Sequence, residues 1–301
     1  MNLFSYFLDY DEPLFRPPSE AFSMIFQVTL GCSWNKCSFC EMYKSKSFTS
    51  RKEEDVLEEI RRAGETFPEV KKVFLADGNA FVLSSSRLLR ILDALKKSFP
   101  SLSRVSSYAL PRDILSKSSE ELVSLREAGL QLIYVGIESG DDNVLKMVDK
   151  GESADSTVEG LLKAQEAGIQ CSVMIINGLA GSQYYREHAL NSALLVNRVQ
   201  PRYLSTLVLT LPYGLPKYQK QFKGIFHPMT ELELLEEMKI FIENLELERT
   251  VFRSDHASNF LILKGTLNRD KEEFLTNIKK IRSLFHDNPS LKRSKPHLFS
   301  L

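Results

Sequence analysis

Cys32, Cys37 and Cys40, read in place as GCSWNKCSFC, gather three of the chain's four cysteines within nine residues. A short loop with CxxxxCxxC spacing can turn successive sulfurs inward around one small inorganic centre. Thiolates suit zinc or an iron-sulfur cluster, and a structural zinc is closed by a fourth Cys or His, usually near in sequence. Here the remaining cysteine is Cys171 and the nearest downstream histidine is His188, so a zinc knot would draw its last ligand from far along the chain. An iron-sulfur cluster with one open iron fits the spacing better.

The same spacing also begins a plant-type ferredoxin pattern, in which a distant cysteine completes a two-iron cluster. Cys171 could be that cysteine. It precedes the apolar run Val173-Met174-Ile175-Ile176, however, and reads as a buried strand thiol. Zinc, a two-iron cluster and three unrelated thiols stay open as alternatives. No second cysteine group is present for a further centre.

The elements that must position this loop follow from periodicity. Ile25 to Leu30 is β-branched and aromatic, a strand that Gly31 ends as the loop begins. Strands then alternate with helices. Helix 52–63, with Gly64 as its stop, leads to strand 73–76, helix 84–98, a strand near 105–108, and helix 120–128 stopped by Gly129. Strand 132–137, helix 156–167, strand 171–176, helix 184–198 and strand 203–209 complete six βα units. Continuous apolar runs such as Val73-Phe74-Leu75-Ala76 suit parallel strands covered on both faces. The expected fold is α/β, a partial (βα)6 TIM-like barrel over residues 25–212. A flat doubly wound sheet is the alternative. Residues 1–24 form a leader whose Arg16-Pro17-Pro18 delays any helix. Residues 213–301 form a C-terminal α/β extension, with helix 230–246, strand 250–253, helix 270–285 and a basic, solvated tail at 292–295.

In a parallel βα fold the working face lies at the C-terminal ends of the strands. Those ends are polar or glycine-rich here: the cysteine loop, Asp77-Gly78-Asn79, Glu138-Ser139-Gly140 and Asn177-Gly178-Leu179-Ala180-Gly181. With Phe39 directly before its third cysteine, the loop resembles that of the radical SAM enzymes, although their usual spacing is CxxxCxxC and this loop is one residue longer. Gly136-Ile137-Glu138-Ser139-Gly140 is similar to the GIESG run of the branch that includes oxygen-independent coproporphyrinogen oxidase, Elp3, MiaB and NifB.

The resemblance implies an oxygen-sensitive [4Fe-4S] cluster on Cys32, Cys37 and Cys40, whose open iron takes the amino and carboxylate groups of S-adenosylmethionine. It implies that Asp77, Gly78 and Asn79 stand where the family receives the amino group, that Glu138 and Ser139 lie near the ribose or methionyl part, and that Gly178 lies beside the adenosyl group. The implied activity is reductive cleavage of S-adenosylmethionine to start radical chemistry on a small molecule, with flavodoxin or ferredoxin as electron donor. Modification of RNA and simple electron transfer are the competing functions.

Composition bears on the partners. Lys plus Arg equals Asp plus Glu at 39 each, so no global field favours nucleic acid. No apolar run approaches the 18 or so residues of a membrane span, and the N-terminus lacks a signal-peptide pattern. A cytoplasmic, reducing location is expected, since the cysteines make no disulfide framework. Other candidates have plainer readings. His188 reads as helix surface or packing, His256 and Asn259 as a polar loop, Tyr43 and Tyr213 as aromatic packing, and all five could instead meet cofactor or substrate.

Overall fold

The computed structural model describes residues 7–287, which form two compact units. The basic tail at 292–295 lies outside the described residues. Of the described residues, the first unit comprises 7–35, 40–135 and 159–171, and the second comprises 36–39, 136–158 and 172–287.

In the first unit β1 (Met24–Gln27), β4 (Lys72–Ala76), β5 (Arg104–Tyr108) and β6 (Leu130–Glu138, up to Val135) pair in parallel in chain order. A small antiparallel pair, β2 (Thr29–Leu30) with β3 (Thr49–Ser50), pins the two ends of the cysteine loop. The crossovers are α1 (Glu53–Thr66), α2 (Ser85–Ser98) and α4 (Ser119–Glu127), with a short α3 (Pro111–Leu115) after β5. Local chemistry sets these ends. Ser84 caps α2 by accepting from the Arg87 amide, and Ser118 with Glu121 forms a capping box at α4. The expected stop at Gly64 is corrected, because α1 runs through it to Thr66. A Cβ on Gly64 would stand 2.5 Å from Ser98 Cβ, so this glycine lets α1 and α2 approach closely.

A buried polar cluster ties the leader to β5 and β6 in the first unit. Glu20, in a 3-10 turn that starts at Pro18 as the proline rule requires, is fully buried. Arg104 pairs with it at 2.7 Å and the Tyr134 hydroxyl donates to it at 2.6 Å.

In the second unit β7 (Gln170–Asn177, from Ser172), β8 (Tyr203–Val208) and β9 (Thr250–Ser254) are parallel neighbours, and β10 (Leu263–Leu267) returns antiparallel to β9. Residues after 212 therefore contribute strands as well as helices. The helices of this unit are α5 (Asp142–Met147), α7 (Gly181–Val199), α8 (Leu215–Gln221), α9 (Glu231–Glu243) and α10 (Lys271–Asp287). The remaining helix, α6 (Ala154–Glu166), begins in the second unit and ends in the first. A Thr230–Glu233 capping box starts α9, whose buried face carries Leu234, Leu235, Met238, Phe241 and Ile242, and also Glu237. An apolar cluster of Leu179, Tyr218, Phe222 and Phe226 takes in Phe39 of the cysteine loop.

Candidate functional site

In the first unit the residues after β4 grip the cysteine loop. Asp77 is fully buried, and its Oδ2 accepts from the Gly31 amide at 3.1 Å and the Lys46 ammonium at 3.0 Å. Lys46 also pairs with Asp11 of the leader at 2.9 Å. Burial pushes the Asp77 carboxyl above the ordinary carboxylate range, while the hydrogen bonds from Lys46 and Gly31 pull it down. The Gly78 amide donates to the Gly31 carbonyl at 3.1 Å. A Cβ on Gly78 would lie 2.7 Å from the Tyr43 ring and 3.0 Å from Cys32 Cβ, so the close approach needs glycine. Asn79 donates through Nδ2 to Ser33 Oγ at 2.8 Å and Asp113 Oδ2 at 2.5 Å. Asp77-Gly78-Asn79 thus holds the loop on both sides of Cys32, and Asn79 Oδ1 is a buried acceptor left without a protein partner.

The second unit holds Lys36–Phe39 and the ends of β6 and β7. The Ser38 amide donates to the Val148 carbonyl at 2.9 Å. Glu138 has φ +67°, a left-handed conformation that strains a residue with a side chain. Its carboxylate folds back over Gly136, where a Cβ would collide with Oε1 at 2.0 Å. That same oxygen pairs with the Lys150 ammonium at 3.0 Å, and Oε2 is buried without a protein partner.

Ser139 and Gly178 are tied into a buried polar layer. Burial takes the His188 pKa down to about 4, so the ring is neutral at pH 7. With Nε2–H facing the Ile176 carbonyl at 3.2 Å, Nδ1 accepts from the Ser139 hydroxyl at 2.8 Å. The Ser139 oxygen in turn accepts from the Asp141 amide at 3.0 Å, so its hydroxyl is engaged within the protein. Gly178 sits at φ +80° and donates its amide to Glu237 Oε2 at 2.7 Å. Glu237 is also fully buried. Burial raises its pKa to about 8, against the hydrogen bonds from Gly178 and Asn177. Glu237 Oε1 and His188 Nε2, 3.8 Å apart, are therefore both uncharged near neutral pH.

The other sequence candidates fall elsewhere. Cys171 is buried beside the Leu161 and Ile169 carbonyls, at 3.9 and 3.8 Å, and burial pushes its thiol up to about 12, as expected of a structural cysteine. His256 bonds through Nδ1 to Ser258, and Asn259 donates to the Thr206 carbonyl at 2.8 Å. Tyr43 is buried, whereas Tyr213 is two-thirds exposed. His188, read as surface or packing, is wholly buried. Sequence reasoning passed over Lys46, Lys150 and Glu237. The first two carry no signal beyond being charged. Glu237 does, because it occupies the apolar stripe of α9 at three residues from Leu234 and four from Phe241.

All four cysteines are free, and among the described residues no three His, Cys, Asp or Glu side chains converge as ligands of a single ion. A cubane needs no such convergence, since each thiolate binds a different iron.

Comparison with known proteins adds four findings. A family model described as "Radical SAM superfamily" matches residues 26–186. The heme chaperone HemW of Bacillus subtilis is 24% identical over 165 residues, covering 54% of this chain and 43% of its own length. Among solved structures, coproporphyrinogen III oxidase (HemN) from Escherichia coli aligns with a TM-score of 0.56 at 18% identity, over 73% of this chain and 52% of that one. Methylornithine synthase (PylB) aligns at 0.52 and 15% identity, over 85% and 68%. At such identities the structural likeness speaks for the fold, and it is the partial barrel rather than the flat doubly wound sheet. The chain spans less than half the length of HemW.

Proposed function

The chain belongs to the radical SAM superfamily, and we propose that it binds the family's [4Fe-4S] cluster through Cys32, Cys37 and Cys40 and cleaves S-adenosylmethionine reductively to start radical chemistry on a small molecule. The family's enzymes use this cluster and S-adenosylmethionine. Once bound, the pair supplies one-electron cleavage of a sulfonium C–S bond and, from it, a carbon radical that takes hydrogen from a substrate.

The residues do the holding. Asp77, through Gly31 and Lys46, and Asn79, through Ser33, hold the cysteine loop on either side of Cys32. Asn79 Oδ1 offers a buried acceptor suited to a cofactor N–H, and Glu138 Oε2 offers another suited to a hydroxyl or ammonium. Lys150, beside Glu138, supplies a cation suited to a carboxylate. Gly178, held at φ +80° where the chain leaves β7, would lie beside the adenosyl part. A small-molecule substrate is favoured over RNA by the even charge balance. Among the described residues no helix is long and apolar enough to cross a membrane. A reducing cytoplasm and a flavodoxin or ferredoxin donor suit the free thiols and a one-electron input.

The observation that carries this reading is the grip of the strand-end run Asp77-Gly78-Asn79 on the cysteine loop. The test is anaerobic reconstitution followed by reductant and S-adenosylmethionine without added substrate. The expected products are 5'-deoxyadenosine and methionine, lost when any of the three cysteines becomes Ala and kept in Cys171→Ala. A fully clustered, reducible preparation that yields neither product nor a spectral response to S-adenosylmethionine would leave electron transfer as the function.

A further inference from the structure

We infer that Glu237, on α9 and far in sequence from the region the family model matches, is a positioning residue for the adenosyl end of the cofactor site, acting through Gly178. This rests on the reading above that places Gly178 beside the adenosyl group. Three observations within the second unit carry it.

Gly178 needs positioning. At φ +80° it turns the chain sharply out of β7, and its amide has left the strand ladder. A buried amide must find an acceptor or lose the free energy of its hydration. Glu237 Oε2 is that acceptor at 2.7 Å, from a helix that starts more than fifty residues later.

Second, the contact is two-pronged. Leu234, one helical turn before Glu237, places its Cδ2 3.0 Å from where a Gly178 Cβ would be. One residue of α9 thus fixes the amide and another covers the Cα, so two side chains of one helix hold the Gly178 peptide.

Third, a carboxyl is costly where Glu237 stands. It lies 1% exposed on the apolar stripe of α9, with Oε1 unpartnered, and a leucine there would fit the pattern of Leu234, Met238 and Phe241. The groups facing it are Asn177 at the end of β7, Gly178 just after it and His188 on α7, whereas its neighbour Glu236 turns away to Arg282 and Lys239. His188 extends the layer to Ser139 at the end of β6, so both glycine-rich strand ends of this unit rest on it. Gly178 is the group that Glu237 satisfies.

The experiment compares wild type, Glu237→Leu and Glu237→Gln as clustered protein. Its readouts are iron content, thermal midpoint, amide hydrogen exchange of the peptide containing Gly178, and S-adenosylmethionine affinity from the change in the cluster's paramagnetic resonance signal. Loss of one acceptor should weaken affinity about tenfold in the leucine variant, with faster exchange at Gly178, full iron and an undiminished midpoint. Glutamine keeps an acceptor oxygen and should restore both affinity and exchange to within a few-fold of wild type. Should the leucine variant not accumulate, Glu237→Met makes the same comparison. Wild-type affinity in a clustered leucine or methionine variant overturns the inference, as does a glutamine variant that is folded and clustered yet equally weak. A wild-type protein that exchanges slowly at Gly178 but ignores S-adenosylmethionine overturns the underlying reading instead.

Discussion

Asp77 puts a charge-bearing group in the interior of the first unit. It is a fully buried carboxylate whose one ammonium partner, Lys46, comes from the loop it holds and is itself nearly buried. Removing one member of such a pair leaves the other charge uncompensated. Lys46→Met should therefore destabilise the protein by about 3 kcal/mol and lower iron occupancy after reconstitution, measured by denaturant unfolding and iron analysis. The resemblance puts Asp77 where the family receives the cofactor's amino group, and Lys46 takes only Oδ2. A sequence shows an aspartate at a strand end but not whether a lysine thirty-one residues earlier reaches it, so that partnership was not legible.

His188 and Glu237 give a pH signature with opposed slopes. His188 falls from 6.5 to about 4 in the fold, so between those values the unfolded chain binds a proton that the native one lacks, and stability rises with pH. Glu237 rises from 4.5 to about 8, so over that window the native chain keeps a proton the unfolded one has shed, and stability falls with pH. Above 6.5 only the second slope acts. Stability should decline between pH 6.5 and 8 by up to about 1 kcal/mol per unit relative to Glu237→Gln, read from parallel unfolding curves of the two proteins.

Among the elements, periodicity located every long helix and every parallel strand, because a buried stripe or a continuous apolar run is written in residue types. It passed over α3, α5 and α8, of five, six and seven residues, because two turns are too short to show a stripe. It also passed over β10, whose LKGTL sequence alternates too weakly to be separated from a loop. Gly64 was misread for a related reason. A glycine near the end of a helical pattern is usually a stop, and only the packing of α1 on α2 reveals it as a contact. Gly64→Ala should accordingly lower stability by about 1–3 kcal/mol, measured by thermal or denaturant unfolding, although alanine is the better helix former by about 1 kcal/mol.

At the scale of the whole molecule, the cysteine motif and the order of the glycine-rich strand ends were enough to reach the superfamily from sequence. Cluster and cofactor chemistry constrains residue types there, whereas substrate recognition leaves no comparable mark. Each candidate site residue was legible as a type after a strand. Its partner was not, because Lys46 with Asp77, Lys150 with Glu138 and Glu237 with Gly178 are pairings that only the folded backbone creates.

The clamp of α9 on Gly178 bears on how such a protein could be cut or recombined. The matched region ends at residue 186, and a shortened chain stopping at 212 would keep every cysteine and every strand-end motif that identifies the family. It would nonetheless leave the Gly178 amide facing a vacated position. A chimaera that joins these strands to another protein's C-terminal half inherits the same requirement: whatever helix replaces α9 must bring an acceptor to that amide. The family motif is in this sense portable only together with a residue that lies outside it.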